Sequence, residues 1–159
     1  MVIRPYWLSH LERAWKLRPL VRLSGVRRSG KTTLCKMLPE ATYLNCDLPS
    51  VSRQLEDPEF LFRNLATGST IILDEIHRIK DPSLVLKIGT DEFTKVSPEG
   101  VPGIKILATG SSTLAATKKF RDTLTGRKIQ LHLPPVLWNE CLSVFNITDL
   151  NRRLLHGGL

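Results

Sequence analysis

The sequence contains no apolar run near the ~20 residues that a membrane helix needs. Its amino end lacks the apolar stretch of a secretion signal. The expected setting is therefore cytoplasmic, with no membrane partner. Cysteine is scarce. Cys35, Cys46 and Cys141 show none of the paired spacings that hold zinc and none of the density of a disulfide scaffold. They are expected to be free thiols. No internal repeat and no low-complexity tract is present, which excludes a solenoid or a linker-like chain. Acidic residues are in the minority, 15 against 23 Lys and Arg, giving a net charge of +8. That excess makes nucleic acid a candidate partner. The densest basic groupings are Arg27/Arg28/Lys31, Lys118/Lys119/Arg121 and Arg127/Lys128. Several of them are expected to lie near the ligand of the loop described next, which gives part of the charge an anionic ligand to serve.

What is present is a loop of fixed chemistry. Gly25-Val26-Arg27-Arg28-Ser29-Gly30-Lys31-Thr32 fits G-x-x-x-x-G-K-[ST]. Gly25 and Gly30 allow a tight turn and a close approach of backbone to phosphate oxygens. Successive amides then form an anion-binding nest, and the helix that follows adds its positive end. Lys31 supplies a charge for the β- and γ-phosphates, and the Thr32 hydroxyl suits a Mg²⁺ ion. Arg28, Ser29 and Thr33 complete the expected ligand-binding set. The context agrees. Leu20-Val21-Arg22-Leu23-Ser24 reads as a strand before the loop, and Leu34, Met37 and Leu38 give a helix after it, stopped by Pro39.

A second motif ends in acid. Thr70-Ile71-Ile72-Leu73-Asp74-Glu75 is an apolar run closing on two carboxylates. Ligands of open α/β sheets bind at the carboxyl ends of strands. Asp74 is the expected metal residue, through water, and Glu75 the expected general base for an attacking water. His77 lies two residues on, but Glu75 makes it unnecessary as a base.

The rest of the 159-residue chain, long enough for one domain with a core, alternates strands and helices. Residues 6–17 pattern as a helix with Trp7, Leu8, Leu11, Ala14 and Trp15 on an apolar face. Residues 42–46 read as a strand. Residues 51–66 read as a helix broken or started near Pro58. Asp81-Pro82 starts another, with Leu84, Val85 and Ile88 on its buried face. Residues 98–103 form a loop. Residues 104–109 and 128–133 read as strands, 112–124 as helix, and 138–145 as the opening of another helix. Strands 70–74 and 104–109 are nearly continuous apolar runs, as central strands are. Residues 128–133 alternate, as a half-exposed edge does. The expected architecture is a mostly parallel sheet covered on both faces.

These residues carry a resemblance. The loop and the Ile71–Glu75 run are followed by Leu107-Ala108-Thr109-Gly110-Ser111-Ser112, Leu124-Thr125-Gly126-Arg127, Pro134-Pro135-Val136-Leu137-Trp138-Asn139-Glu140 and Gly157-Gly158, behind a leading Arg4-Pro5-Tyr6. The set resembles the AAA+ ATP-binding proteins of bacteria and archaea that carry a C-terminal domain of unknown function. The resemblance implies a three-layer P-loop NTPase fold with five strands in the order 5-1-4-3-2, and Mg²⁺-dependent ATP hydrolysis coupled to movement of attached domains. It implies that Ser111 or Ser112 senses the γ-phosphate, although a serine there also caps a helix well. Arg127 would contact the γ-phosphate of its own chain, reach a neighbouring subunit as an arginine finger, or form a structural ion pair. A homo-oligomer is the corresponding expectation. Val26 stands where the family often has proline, and Arg22 interrupts the first strand. The family's chains continue into further domains, so residues 1–150 are expected to be the nucleotide-binding core and 151–159 the start of a truncated region, without a lid. Two other functions remain open: a nucleotide-gated scaffold or nucleic-acid-binding module with negligible turnover, and a small-molecule P-loop kinase.

Overall fold

A computed structural model describes residues 4–111 and 124–156. Five strands form one sheet: β1 (Leu20–Gly25), β2 (Ala41–Asn45), β3 (Thr70–Asp74), β4 (Lys105–Ser111) and β5 (Lys128–His132). Their order is β2-β3-β4-β1-β5 and every pairing is parallel. Read from the other edge, this is the expected 5-1-4-3-2.

The two-residue period of a strand divides the core in two. Leu20, Ile71, Leu73, Ile106 and Ala108 pack on one face with Phe62, Val85 and Leu86. Val21, Leu23, Ile72 and Leu107 pack on the other with Trp7, Leu11 and Leu34. Strands with both faces covered need near-continuous apolar runs, which β3 and β4 have over Ile71–Leu73 and Ile106–Ala108, while β1 buries Arg22 among its apolar residues. At the edge, Gln130 and His132 of β5 are exposed while its apolar residues are half-buried, as the alternation predicts.

The helices follow local chemistry. α1 (Pro5–Leu17) has proline at its first position and buries Trp7, Leu11 and Ala14. It ends where Arg18 turns extended ahead of Pro19. α2 (Lys31–Cys35) springs from the loop and gives way to turns before Pro39, so Met37 and Leu38 lie beyond the helix. The expected 51–66 segment is two short helices, α3 (Pro49–Gln54) and α4 (Pro58–Arg63). Asp57 accepts the Phe60 amide and caps the second, which makes Pro58 a start and not a kink. α5 (Pro82–Ile88) is capped in the same way by Asp81 and continues into a π-helical segment, Gly89–Phe93. A short helix, Trp138–Ser143, follows β5, and another spans Leu150–His156. The helix expected over 112–124 lies outside the described residues, apart from buried Leu124 in a turn. No helix among the described residues is long and apolar enough to cross a membrane. The three cysteines are buried free thiols.

Candidate phosphate and metal site

Parallel pairing sends every strand's carboxyl end to one side. Register sets Gly25 opposite Ser111, and Leu73 opposite Ala108, so Asp74 and Thr109 come level. The loop leaves β1 at this side. A Cβ on Gly25 would lie 2.4 Å from the Leu133 carbonyl oxygen and 2.8 Å from Ser29 Oγ, so no side chain fits there. Arg28 (φ 65°) and Gly30 (φ 90°) are both left-handed and flank Ser29. Such backbone at a non-glycine residue is costly and tends to mark functional sites. Ser29 Oγ is buried with no hydrogen-bond partner, an orphan that a polar ligand would satisfy. α2 begins at once, the Leu34 amide donating to the Gly30 carbonyl at 2.9 Å. Lys31 is buried and folds back over the loop, Nζ donating to the carbonyls of Gly25 (3.1 Å) and Val26 (3.0 Å). A buried ammonium needs such partners when no anion is near.

The acidic motif meets the loop directly. Asp74 is 2% exposed. Its Oδ2 accepts hydroxyl hydrogens from Thr32 (2.8 Å) and Tyr43 (2.6 Å), and its Oδ1 accepts one from Thr109. Thr109 also accepts the Glu75 amide at 3.0 Å, which ties the two acids to β4. Glu75 is left-handed (φ 56°) and half-buried, and His77 Nδ1 lies 3.2 Å from its Oε2. Burial, and then the bond to Asp74, raise the Tyr43 phenol above its ordinary value, so it stays a donor at neutral pH. Burial, followed by the nearby Asp74 charge, likewise raises the thiols of Cys35 and, to about 12, of Cys46, which leaves both protonated and unreactive.

A third group supports the loop from outside. Arg4, buried just before α1, forms a two-point ion pair with Glu140, Nε to Oε1 at 2.6 Å and Nη2 to Oε2 at 2.7 Å. Its remaining nitrogen, Nη1, donates to the Ser29 carbonyl at 3.0 Å. Glu140 Oε2 also accepts the Leu137 amide at 2.9 Å. Burial pushes the Glu140 carboxyl up, but the Arg4 and Leu137 hydrogen bonds outweigh it and hold the group below its ordinary value.

Thus Gly25, Arg28, Ser29, Gly30, Lys31, Thr32, Asp74 and Glu75 lie together at one end of the sheet. Thr33 is exposed on α2. Ser111 closes β4 beside Gly25, but its side chain and all of Ser112 lie outside the described structure. Arg127 is elsewhere. Lys128 pairs with Leu20, at the amino end of β1, whereas the loop begins after Gly25. Arg127 is therefore about 20 Å from the loop along the strand direction. There it pairs with Asp91, Nε to Oδ1 at 2.8 Å. Of the three roles open to Arg127, the ion pair is the one the structure contains: parallel strands put the residue before β5 and the residue after β1 at opposite ends. Among the basic groupings, Arg27 and Arg28 are exposed, Lys31 is buried, and Lys118, Lys119 and Arg121 lie outside the described residues.

Sequence reasoning missed Tyr43, Thr109 and the Arg4–Glu140 pair. The available signal for Thr109 was a hydroxyl at the end of an otherwise apolar strand. Arg4 and Glu140 were visible only as parts of the motif set. Among the described residues no group of three or more His, Cys, Asp and Glu side chains could hold a metal. Mg²⁺ does not require one, since it takes one or two protein oxygens and completes its shell with phosphates and water. Thr32 and Asp74, in contact beside the loop, fit that demand.

The profile of a family described as "AAA domain" matches residues 17–142. Uncharacterized proteins of Mycobacterium tuberculosis and Mycobacterium bovis are each 34% identical over 123 residues, 75% of this chain and 26% of theirs. The chain thus spans about a quarter of the length of these curated relatives. Among solved structures, the Thermotoga maritima RuvB Holliday junction branch migration motor aligns with a TM-score of 0.51 at 17% identity, over 84% of this chain and 45% of that one. A Walker-type ATPase of Pyrococcus abyssi aligns with a TM-score of 0.54 at 15% identity, over 89% and 56%. The fold is that of the P-loop NTPases, and the chain belongs to the AAA domain family.

Proposed function

We propose that this AAA domain binds ATP with Mg²⁺ and hydrolyses it to move attached domains. The observation that carries the reading is the 2.8 Å contact between Thr32 and Asp74, which joins the phosphate loop to the acidic end of β3. Gly25, Arg28, Ser29, Gly30, Lys31, Thr32 and Thr33 bind the phosphates. Lys31 exchanges its two loop carbonyls for phosphate oxygens, trading neutral acceptors for charged ones. Thr32 and Asp74 hold the metal ion, which neutralises charge on the phosphates when bound. Glu75 takes a proton from water as the water oxygen bonds to the γ-phosphorus and the bond to the bridging oxygen breaks, releasing ADP and phosphate. Ser111 or Ser112 would sense the γ-phosphate.

In the same reading, residues 1–150 are the nucleotide-binding core and 151–159 open a further region of a longer cytoplasmic protein. A C-terminal domain of unknown function, as in the family the motifs resemble, is what the core would move. Self-association would let Arg127 reach a neighbour's site. Nucleic acid is a candidate partner through net charge alone.

Thermal shift with Mg·ATP tests the reading. A clear upward shift is expected for the native chain and none for Lys31→Ala, whose apo melting point stays close to native. Equal shifts in both would overturn the loop assignment. One observation favours a second reading, a nucleotide-gated module with negligible turnover: the arginine expected to stabilise the transition state lies at the far end of the sheet. Phosphate release without an added acceptor separates the readings. Turnover supports an ATPase, binding without turnover supports the gated module, and release that needs a small-molecule acceptor supports a kinase.

A further inference from the structure

We propose, building on the nucleotide-binding reading above, that the Arg4–Glu140 pair is a positioning clamp that aims the Gly30 amide at the β-phosphate. The geometry starts from the peptide joining Ser29 to Gly30. A trans peptide is planar, with its carbonyl and its N–H on opposite sides. Whatever holds the Ser29 carbonyl therefore sets where the Gly30 N–H points. Arg4 holds it, with Nη1 3.0 Å from that oxygen. Arg4 lies close enough behind the loop that a Cβ on Gly30 would be 3.3 Å from Nη1. The Gly30 N–H, on the other side of the peptide, therefore points away from Arg4. The residues on both sides of Ser29 are left-handed, Arg28 at φ 65° and Gly30 at φ 90°.

Arg4 is itself immobilised. Its carbonyl accepts the amides of Trp7 and Leu8 at 3.1 and 3.3 Å and opens α1. Its guanidinium meets both oxygens of Glu140 at 2.6 and 2.7 Å. Glu140 is fixed in turn by the Leu137 amide at the start of the helix after β5. The clamp thus ties the segment before α1, the loop and the segment after β5 into one rigid unit. Guanidinium is the side chain suited to this, because it serves a carboxylate at two points and still has a nitrogen for a third acceptor. The pair is 136 residues apart in sequence and buried on both sides. A buried pair is weak as a general stabiliser, since desolvation offsets much of its attraction. Its placement on the loop gives it a specific role.

The test is titration of Mg·ATP and Mg·ADP into the native chain, Arg4→Lys and Arg4→Gln, with apo melting points alongside. Lysine keeps a charge for Glu140 but has one nitrogen, which cannot serve Glu140 and the Ser29 carbonyl together. Both variants are expected to fold and to lose about 10- to 100-fold in affinity, the worth of a hydrogen bond to a charged group. The loss should be the same for ATP and ADP, because both carry the β-phosphate. A core control, Ile72→Val, should lower the melting point and leave both affinities unchanged. Native affinity in Arg4→Lys would overturn the clamp, as would a loss for ATP alone or a loss matched by the core control. Failure of both Arg4 variants to fold would assign the pair to domain stability and also overturn it. No binding by the native chain would instead sink the nucleotide-binding reading itself.

Discussion

At the carboxyl end of the sheet, Asp74 is 2% exposed and accepts three hydroxyl hydrogens from three different elements. At the amino end, Asp91 pairs with Arg127 while about a third of each side chain remains in solvent, 33% and 36%. Both aspartates are well partnered, yet their settings assign them different weights. A buried acceptor whose donors have no water to turn to is expensive to disturb. An exposed ion pair trades readily with solvent and salt. The comparison separates a site assembled for a ligand from a contact that merely closes the surface. It also explains why the polar residues of the carboxyl end converge: after the apolar stretches Ile71–Leu73 and Ile106–Ala108, β3 and β4 carry Asp74 and Thr109 at the same level.

The largest expected effect sharpens the carboxyl end. Glu75→Gln should keep Mg·ATP affinity within a few fold and lower phosphate release by about 10²- to 10⁴-fold, the usual contribution of a general base. The amide retains shape and the backbone tie to Thr109, so only proton acceptance is lost. Steady-state release by the full-length protein is the measurement. An unchanged rate would mean that another group activates the water.

Thr109→Val should come next. Valine matches the volume but leaves the Glu75 amide without its acceptor and Asp74 short of one donor. A loss of about 1–3 kcal/mol of folding stability is expected, read from urea denaturation. Thr109→Ser, which restores the hydroxyl, should recover most of it. A loss under ~0.5 kcal/mol, the scale of ordinary surface substitutions, would place the carboxyl end on the same footing as the amino end and break the comparison.

Much of the fold was legible because its signals are local. Strand 70–74 could be bounded from its apolar run, and the edge position of β5 from its alternation. The two chemical motifs were legible for the same reason, each being contiguous. What escaped notice depends on tertiary pairing. Tyr43 reaches Asp74 only because β2 lies beside β3 in register, and a tyrosine in a strand otherwise signals nothing more than β propensity. Arg4 and Glu140 meet across nearly the whole chain. The helix Leu150–His156 was missed because Leu154 and Leu155, at 72% and 80% exposure, do not form a core-facing stripe. The resemblance left Arg127 open between its own phosphates, a neighbour's site and an ion pair, and the parallel register places the residue before β5 at the opposite end of the sheet.

The smallest expected effects belong to that opposite end. Arg127→Ala should leave Mg·ATP affinity unchanged in dilute protein, since about 20 Å along the strand direction separates it from the loop. A loss of affinity at high dilution would put Arg127 back at its own chain's phosphates. A trans role has a different signature: native turnover per chain should rise with protein concentration, and the variant should lose that rise. The ion pair itself can be read through pH. The Arg127 hydrogen bond, opposed by slight desolvation, holds the Asp91 carboxyl below its ordinary value. The folded chain therefore keeps this group ionised at pH values where the unfolded chain, titrating near 3.9, begins to take up protons. The pair's contribution is present above that value and is lost as pH falls through the lower folded value. Asp91→Asn should thus lower stability slightly at neutral pH, where the pair is present, leave the strongly acid end unchanged and so flatten the acid limb, with a smaller difference in high salt. Urea midpoints from pH 2 to 7, with and without added salt, would show it. An Asp91→Asn variant that loses as much at pH 7 as Thr109→Val would mean that the exposed pair carries the weight assigned here to the buried site.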